Sequence, residues 1–197
     1  YAFARRSGHA SADAQDLVQG FFVQVVEKDL FSRADAEKGK LRTFLLTAFK
    51  RHISHEARKE ATMKRGGGTE AISFDVIEAE NWYAEQLISN ESPEKMYDRQ
   101  WALTLLELVI NELAKEWEKR ERGEIFATLR PYLTSQPEAN DYARTEQVLN
   151  MGRPAIKSAV HRLRTQYRNK LISKVRETQL DESDFQGEIQ TLLSAVA

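Results

Sequence analysis

Apolar residues in this chain recur every three or four positions, stretch after stretch, and that spacing commits it to helices that each bury one face. Ala14, Leu17, Val18, Phe21, Val25 and Val26 form such a face between Ser11 and Leu30. Leu41, Phe44, Leu45, Ala48, Phe49 and Ile53 form another, in a long helix predicted from Lys40 to about Met63 with a break near Lys50. Tyr97, Trp101, Leu105, Leu108, Leu113 and Trp117 keep the spacing from Pro93 to about Arg122. Glu124 to Leu133 is a further helix, ended by the turn Thr134 to Pro137. Ser11, Ser92 and Asn140 or Asp141 are the expected N-caps. Only 4 prolines and 9 glycines interrupt 197 residues. The expectation is an all-α fold.

The net charge of -1 conceals segregation. Residues 38–65 carry nine cations against Glu56 and Glu60, and residues 70–98 carry eight acids against Lys95. Residues 152–176, GRPAIKSAVHRLRTQYRNKLISKVR, carry eight cations and no acid. Two basic blocks within a neutral chain point to two contacts with one polyanion.

Several function classes lose ground on composition alone. There is no cysteine, which removes disulfides and thiolate metal sites and fits a reducing cytoplasm. No apolar run approaches the roughly 18 residues of a membrane helix, so no membrane insertion is expected. The glycines Gly66 to Gly68 lack the Lys-Ser/Thr that follows in a phosphate-binding loop. His52 and His55 are spaced to share a metal on one helix face, but no third ligand is evident. Neither a metal, a cofactor nor a catalytic carboxylate cluster is expected, so the chain does not read as an enzyme.

The last third has the most definite pattern. A short helix, Asp141 to Leu149, is followed by the turn Asn150-Met151-Gly152 and a long helix, Arg153 to Glu177. Ile156, Val160, Leu163, Tyr167 and Leu171 are the apolar face of that long helix. Two helices joined by a short glycine-containing turn, the second basic on its outer face, make a helix-turn-helix pattern. In that motif the second helix enters the major groove, its first turns meeting base edges and its later cations meeting phosphates.

Three stretches, taken in order, resemble the extracytoplasmic-function group of bacterial RNA polymerase sigma factors. DAQDLVQGFF, residues 13–22, is similar to the family's segment that docks on the polymerase clamp helices. LRTFLLTAFKRHISHEARK, residues 41–59, is similar to the part that melts and holds the upstream promoter element as a single strand. YARTEQVLNMGRPAIKSAVHRLR, residues 142–164, is similar to the helix-turn-helix that reads the farther element as duplex. The resemblance implies two helical modules: residues 1–66, expected to be truncated at the start, and residues 93–178. An acidic linker, residues 67–92, joins them, and residues 179–197 form an acidic extension with a short amphipathic helix of Phe185, Ile189, Leu192, Leu193 and Val196, expected to pack on the C-terminal module, with a regulatory contact as the alternative. A turn of helix around Trp82 to Ile88 is expected in the linker.

The same resemblance implies roles for particular residues. Asp13, Asp16, Gln19 and Phe22 would meet the polymerase core. Phe44, Lys50, Arg51, His52, His55, Arg58 and Lys59 would hold the melted strand, by stacking and by charge. Arg153, Lys157, Ser158, His161, Arg162 and Arg164 would read the duplex. The partners implied are RNA polymerase core and promoter DNA, with an anti-sigma factor left open, and the place of action is the cytoplasm. The alternative is a transcriptional regulator that uses its helix-turn-helix without polymerase. Thr145 and Glu146 depart from the family, which has small or apolar residues there. Either the helices pack differently at this point or duplex reading is impaired.

Overall fold

The computed structural model describes residues 1–33, 40–62, 79–81, 83–84, 91–135, 138–179 and 185–196. They are helical apart from turns, and the only bridge among them, Lys40 to Gln179, is isolated. The fold is all-α, as the periodicity demands. In chain order the helices are α1 (Ala2–Arg6), α2 (Ser11–Glu27), α3 (Leu41–Thr62), α4 (Pro93–Glu118), α5 (Gly123–Leu129), α6 (Ala139–Leu149), α7 (Arg153–Glu177) and α8 (Phe185–Val196). Single 3-10 turns follow α2, at Leu30–Arg33, and α5, at Arg130–Leu133. Two compact units result: Tyr1–Ala102 with Thr178–Ala197, and Leu103–Glu177.

In the first unit α1, α2 and α3 close on Phe3, Ala14, Val18, Phe21, Val25 and Phe49. Phe21 meets Phe49 edge-on with centroids 5.1 Å apart, the favoured geometry for two π systems. Val26, expected on the buried face, is 74% exposed. It directly follows Val25, and one residue is a 100° rotation, enough to leave the stripe. Helix α3 runs unbroken through Lys50. The glycines expected to end it, and most of the linker, lie outside the described residues. So do Trp82 and residues 85–88 of the expected linker turn. What is described of the linker packs on this unit. Arg5 donates from Nη2 to Glu80 Oε1 at 2.8 Å, and its guanidinium lies 5.0 Å from the centroid of buried Tyr83.

The extension was expected on the C-terminal module. Instead α8 belongs to the first unit, where Glu188 is 2% exposed and bonded to Arg42 and Lys40. The charges leave it little choice: a buried carboxylate needs cations, and Lys40 and Arg42 supply them.

In the second unit Val109, Leu113 and Trp117 of α4 pack with Phe126 and Leu129 of α5 and with Ile156, Val160 and Leu163 of α7. Leu113, Leu129, Ile156 and Leu163 are essentially inaccessible, so alanine at any of them should cost about 2–5 kcal/mol. Leu108, expected on the apolar face, is 44% exposed beside buried Val109.

Caps fix where the helices stop. Ser92 Oγ accepts from Lys95 N–H at 3.3 Å, as expected of that N-cap. Ser11 is already helical behind Ala10, and its hydroxyl bonds the Tyr1 hydroxyl at 2.7 Å. Helix α4 ends four residues before the expected Arg122. Glu121 turns left-handed (φ 58), and Arg122 N–H returns to Trp117 O at 2.9 Å, satisfying an orphan carbonyl. At the start of α6 the cap is Glu138, not Asn140 or Asp141. Asp141 Oδ2 instead accepts from Glu138 N–H at 2.8 Å.

Candidate nucleic-acid interface

The turn between α6 and α7 depends on Asn150, not on its glycine. Asn150 is left-handed, with φ 49 and ψ 43, a conformation that asparagine tolerates better than most residues. Met151 N–H returns to Glu146 O at 3.3 Å. Gly152 is not left-handed, and its carbonyl accepts from Ala155 N–H at 2.9 Å, opening α7.

The two departures from the family pattern are both accommodated. Thr145 is buried, but its hydroxyl shares a 2.6 Å hydrogen bond with the hydroxyl of buried Tyr132, so no polar group is stranded. Glu146 turns away from the core and faces Arg153, with Nη2 to Oε2 at 3.4 Å. Neither residue exposes the core or buries an unpaired charge.

Helix α7 buries Ile156, Ala159, Val160 and Leu163. On the opposite side Lys157, Ser158, His161, Arg162, Thr165 and Arg168 are exposed. The eight cations of this region are therefore not equivalent. Lys170 pairs with Glu116 at 2.8 Å and Glu112 at 3.3 Å, which raises its pKa. Lys174 pairs with Glu177 and with Glu112, each at 3.0 Å, and is raised likewise. Arg164 turns back to the preceding loop, donating from Nε to Tyr132 O at 2.9 Å and from Nη2 to Ser135 O at 3.2 Å. Its guanidinium serves the fold, which the sequence pattern could not distinguish from a phosphate contact. Lys157 lies 5.8 Å from the Tyr142 ring centroid. Arg162 and Arg168 have no hydrogen-bonding or ionic partner among the described residues. Arg144 on α6, also exposed, was not among the expected contacts.

The seven residues expected to hold a melted strand share α3 but not one face of it. Arg51 and His55 are exposed, and Phe44 is half-buried. Lys50 is paired with Glu94 at 2.6 Å. Lys59 is paired with Glu56 at 2.9 Å, and His55 Nδ1 lies 3.2 Å from the same carboxylate. Arg58 donates from Nε to Ser54 O at 3.0 Å. His52 points inward: it is 8% exposed, stacked on Phe49, with Nδ1 3.2 Å from Gln24 Oε1. Burial lowers its pKa. The imidazole is thus a core group beside α2, not an exposed stacking platform. It does not converge with His55 as a metal pair, and no group of three ligating residues occurs among the described residues.

On α2, Asp13 and Asp16 are exposed, Gln19 is half-buried and Phe22 is 47% exposed. With Val26 they make a stripe of helical spacing, acidic at its start and apolar at its end. Val26 was missed because its period matches the core almost as well as it matches the stripe.

Residues 3–124, well over half of the chain, match a family model described as ECF sigma factor. The match takes in α2 and α3, ends inside α5, and leaves α6 and α7 beyond it. No curated protein and no solved structure matches the chain.

Proposed function

The chain belongs to the ECF sigma factor family, which gives it a role in transcription initiation, and from that premise we propose that it binds RNA polymerase core through α2 and carries it to promoter DNA. In this proposal Asp13, Asp16, Gln19, Phe22 and Val26 meet the core. Phe44, Arg51 and His55 meet the melted strand, with Lys50, Arg58 and Lys59 able to exchange their surface partners for phosphates. Surface pairs of this kind are worth about 0–1 kcal/mol, so a polyanion can displace them. His52 keeps α3 seated against α2. Helices α6 and α7 act as a helix-turn-helix, with Arg153, Lys157, Ser158, His161 and Arg162 at base edges and Arg168 on phosphate.

The observation that carries the duplex half of the proposal is the sorting of cations on α7. Lys170 and Lys174, in its C-terminal half, are neutralised by Glu112, Glu116 and Glu177, while Lys157, Arg162 and Arg168 are left exposed. A face that existed only for solubility would not need Lys157, Arg162 and Arg168 aligned opposite the buried Ile156, Val160 and Leu163 in the helix that follows the tight turn. The action proposed is that of a non-enzymatic subunit, working in the cytoplasm where polymerase and promoter meet. No helix among the described residues is long and apolar enough to cross a membrane.

The test is capture of purified polymerase core by the chain, followed by transcription from a promoter library. Core capture with start sites set by the chain is the expected result. Tight, sequence-specific duplex binding by the chain alone, without core capture, would favour the polymerase-independent regulator instead.

A further inference from the structure

We propose that Tyr142 and Glu146 are positioning residues that hold Arg153 and Lys157 in the orientation from which these two cations reach base edges; the proposal rests on duplex reading by α7. Tyr142 and Glu146 are one turn apart on α6, and Arg153 and Lys157 are one turn apart on α7. The two pairs meet across the Asn150 turn. The Arg153 guanidinium carbon lies 6.0 Å from the Tyr142 ring centroid, and Nη2 lies 3.4 Å from Glu146 Oε2. Lys157 Nζ lies 5.8 Å from the same centroid. One ring therefore serves two cations, within the range at which its quadrupole attracts them.

The ring is itself held. Its centroid lies 5.5 Å from that of Tyr132, which is 4% exposed and hydrogen-bonded to buried Thr145. A chain of contacts thus runs from the core of the second unit to two side chains at the start of α7. Thr145, a residue that departs from the family pattern, anchors this chain, and Glu146, the other, ends it. Long cationic side chains lose rotamer freedom when they bind, and a cation ordered beforehand loses less. Arg153 gives one donor nitrogen to Glu146 and keeps the others for a guanine edge. Arg168 has no such support, which suits a contact to phosphate, where orientation matters less.

The test compares Tyr142→Phe, Tyr142→Leu and Glu146→Gln with the unaltered full chain, in complex with polymerase core, against a promoter-variant series. Arg153→Ala and Lys157→Ala are the controls. Tyr142→Leu should weaken the preferred promoter about threefold to fivefold relative to its single-base variants, with an unchanged salt slope. Tyr142→Phe should retain the preference because the ring is retained. Glu146→Gln should relax preference only at the base that Arg153→Ala affects. The free chain gives a second measurement: the side-chain methylene protons of Arg153 and Lys157 should be shifted upfield by the ring, in Tyr142→Phe as well, and not in Tyr142→Leu. If those shifts are absent from the unaltered chain, or if Tyr142→Leu discriminates bases as the unaltered chain does, the positioning role is overturned. If Arg153→Ala and Lys157→Ala themselves leave base preference untouched while the ring shifts are present, it is duplex reading by this helix that fails, and the positioning role falls with it.

Discussion

Arg42 and Glu188 lie 146 positions apart and form a buried, two-pronged ion pair. Arg42 donates from Nε to Oε1 at 2.7 Å and from Nη2 to Oε2 at 3.1 Å. The same guanidinium bonds Asp98, and Lys40 Nζ reaches Glu188 Oε2 at 3.0 Å. Burial alone would raise the pKa of Glu188, but the hydrogen bonds from Arg42 and Lys40 outweigh it, and the carboxyl titrates below its ordinary 4.5. Removing one partner would leave a buried charge uncompensated, which costs about 3–5 kcal/mol. Glu188→Ala should therefore unfold at markedly lower urea than the unaltered chain. The pH dependence has a definite sign. A depressed carboxyl stabilises fully above its unfolded pKa, and that contribution is lost as pH falls through the folded value. The gap between variant and parent should begin to narrow once pH falls below the ordinary 4.5 and close only below the depressed folded value. A gap that persists unchanged into acid would mean that the carboxylate is not the source of the stability.

His52 gives the opposite kind of titration. Gln24 and Gly20 face it from α2, and Glu56, His55 and Lys59 act on it from α3. Burial keeps its imidazole below the ordinary 6.5. In the window between the folded value and 6.5 the unfolded chain binds the proton and the folded chain does not. Stability is thus complete above that window and declines as pH falls through it. Urea unfolding followed from neutral pH downward should show the decline beginning near 6.5 in the parent, and a flatter profile in His52→Gln. Equal slopes would show that some other group titrates there.

Which parts of this were legible beforehand follows from how far apart the interacting residues lie. Ile156, Val160 and Leu163 declare a buried face because a helix repeats its own surface every turn. Val26 and Leu108 misled because they adjoin buried residues at the edge of a stripe, where a rotation of one position decides exposure. Asn150 was hidden behind Gly152, the residue that commonly supplies a left-handed turn. Arg42 with Glu188, and Arg164 with the carbonyls of Tyr132 and Ser135, depend on chain segments brought together only by folding. A cation looks the same in sequence whether it waits for phosphate or ties down a loop. The resemblance to sigma factors was legible through α2 and α3, where the family model matches. The site residues of α7 rest on pattern and charge.

The exposed stripe on α2, proposed to dock on polymerase, can be altered without touching the core. Asp16 is exposed and Val26 is 74% exposed, so neither contributes to the core formed by Val18, Phe21 and Val25. Asp16→Arg and Val26→Asp should each weaken capture of polymerase core severalfold, while the midpoint of thermal unfolding stays within the small range usual for surface substitutions. Val18→Ala, the core control, should lower the midpoint instead. Unchanged core affinity in both surface variants would remove α2 from the polymerase interface.

The cations of α7 should divide into four behaviours. Lys157→Ala or Arg162→Ala should cost about 1–3 kcal/mol on the preferred sequence and relax preference at one base position. Arg168→Ala should weaken all sequences alike and flatten the plot of log affinity against log salt by about one unit. Arg164→Ala should do neither. It loses hydrogen bonds to two loop carbonyls, each worth about 1 kcal/mol, so it should lower the melting midpoint and leave the salt slope where it was. Lys170→Ala and Lys174→Ala, whose charges Glu112, Glu116 and Glu177 already offset, should have little effect on DNA. The measurement is a promoter-variant binding series at two salt concentrations with polymerase core present, paired with thermal melts of each free variant. A flattened salt slope in Arg164→Ala would show that its loop contacts give way to phosphate on binding. Unchanged base preference in both Lys157→Ala and Arg162→Ala would show that α7 does not read sequence.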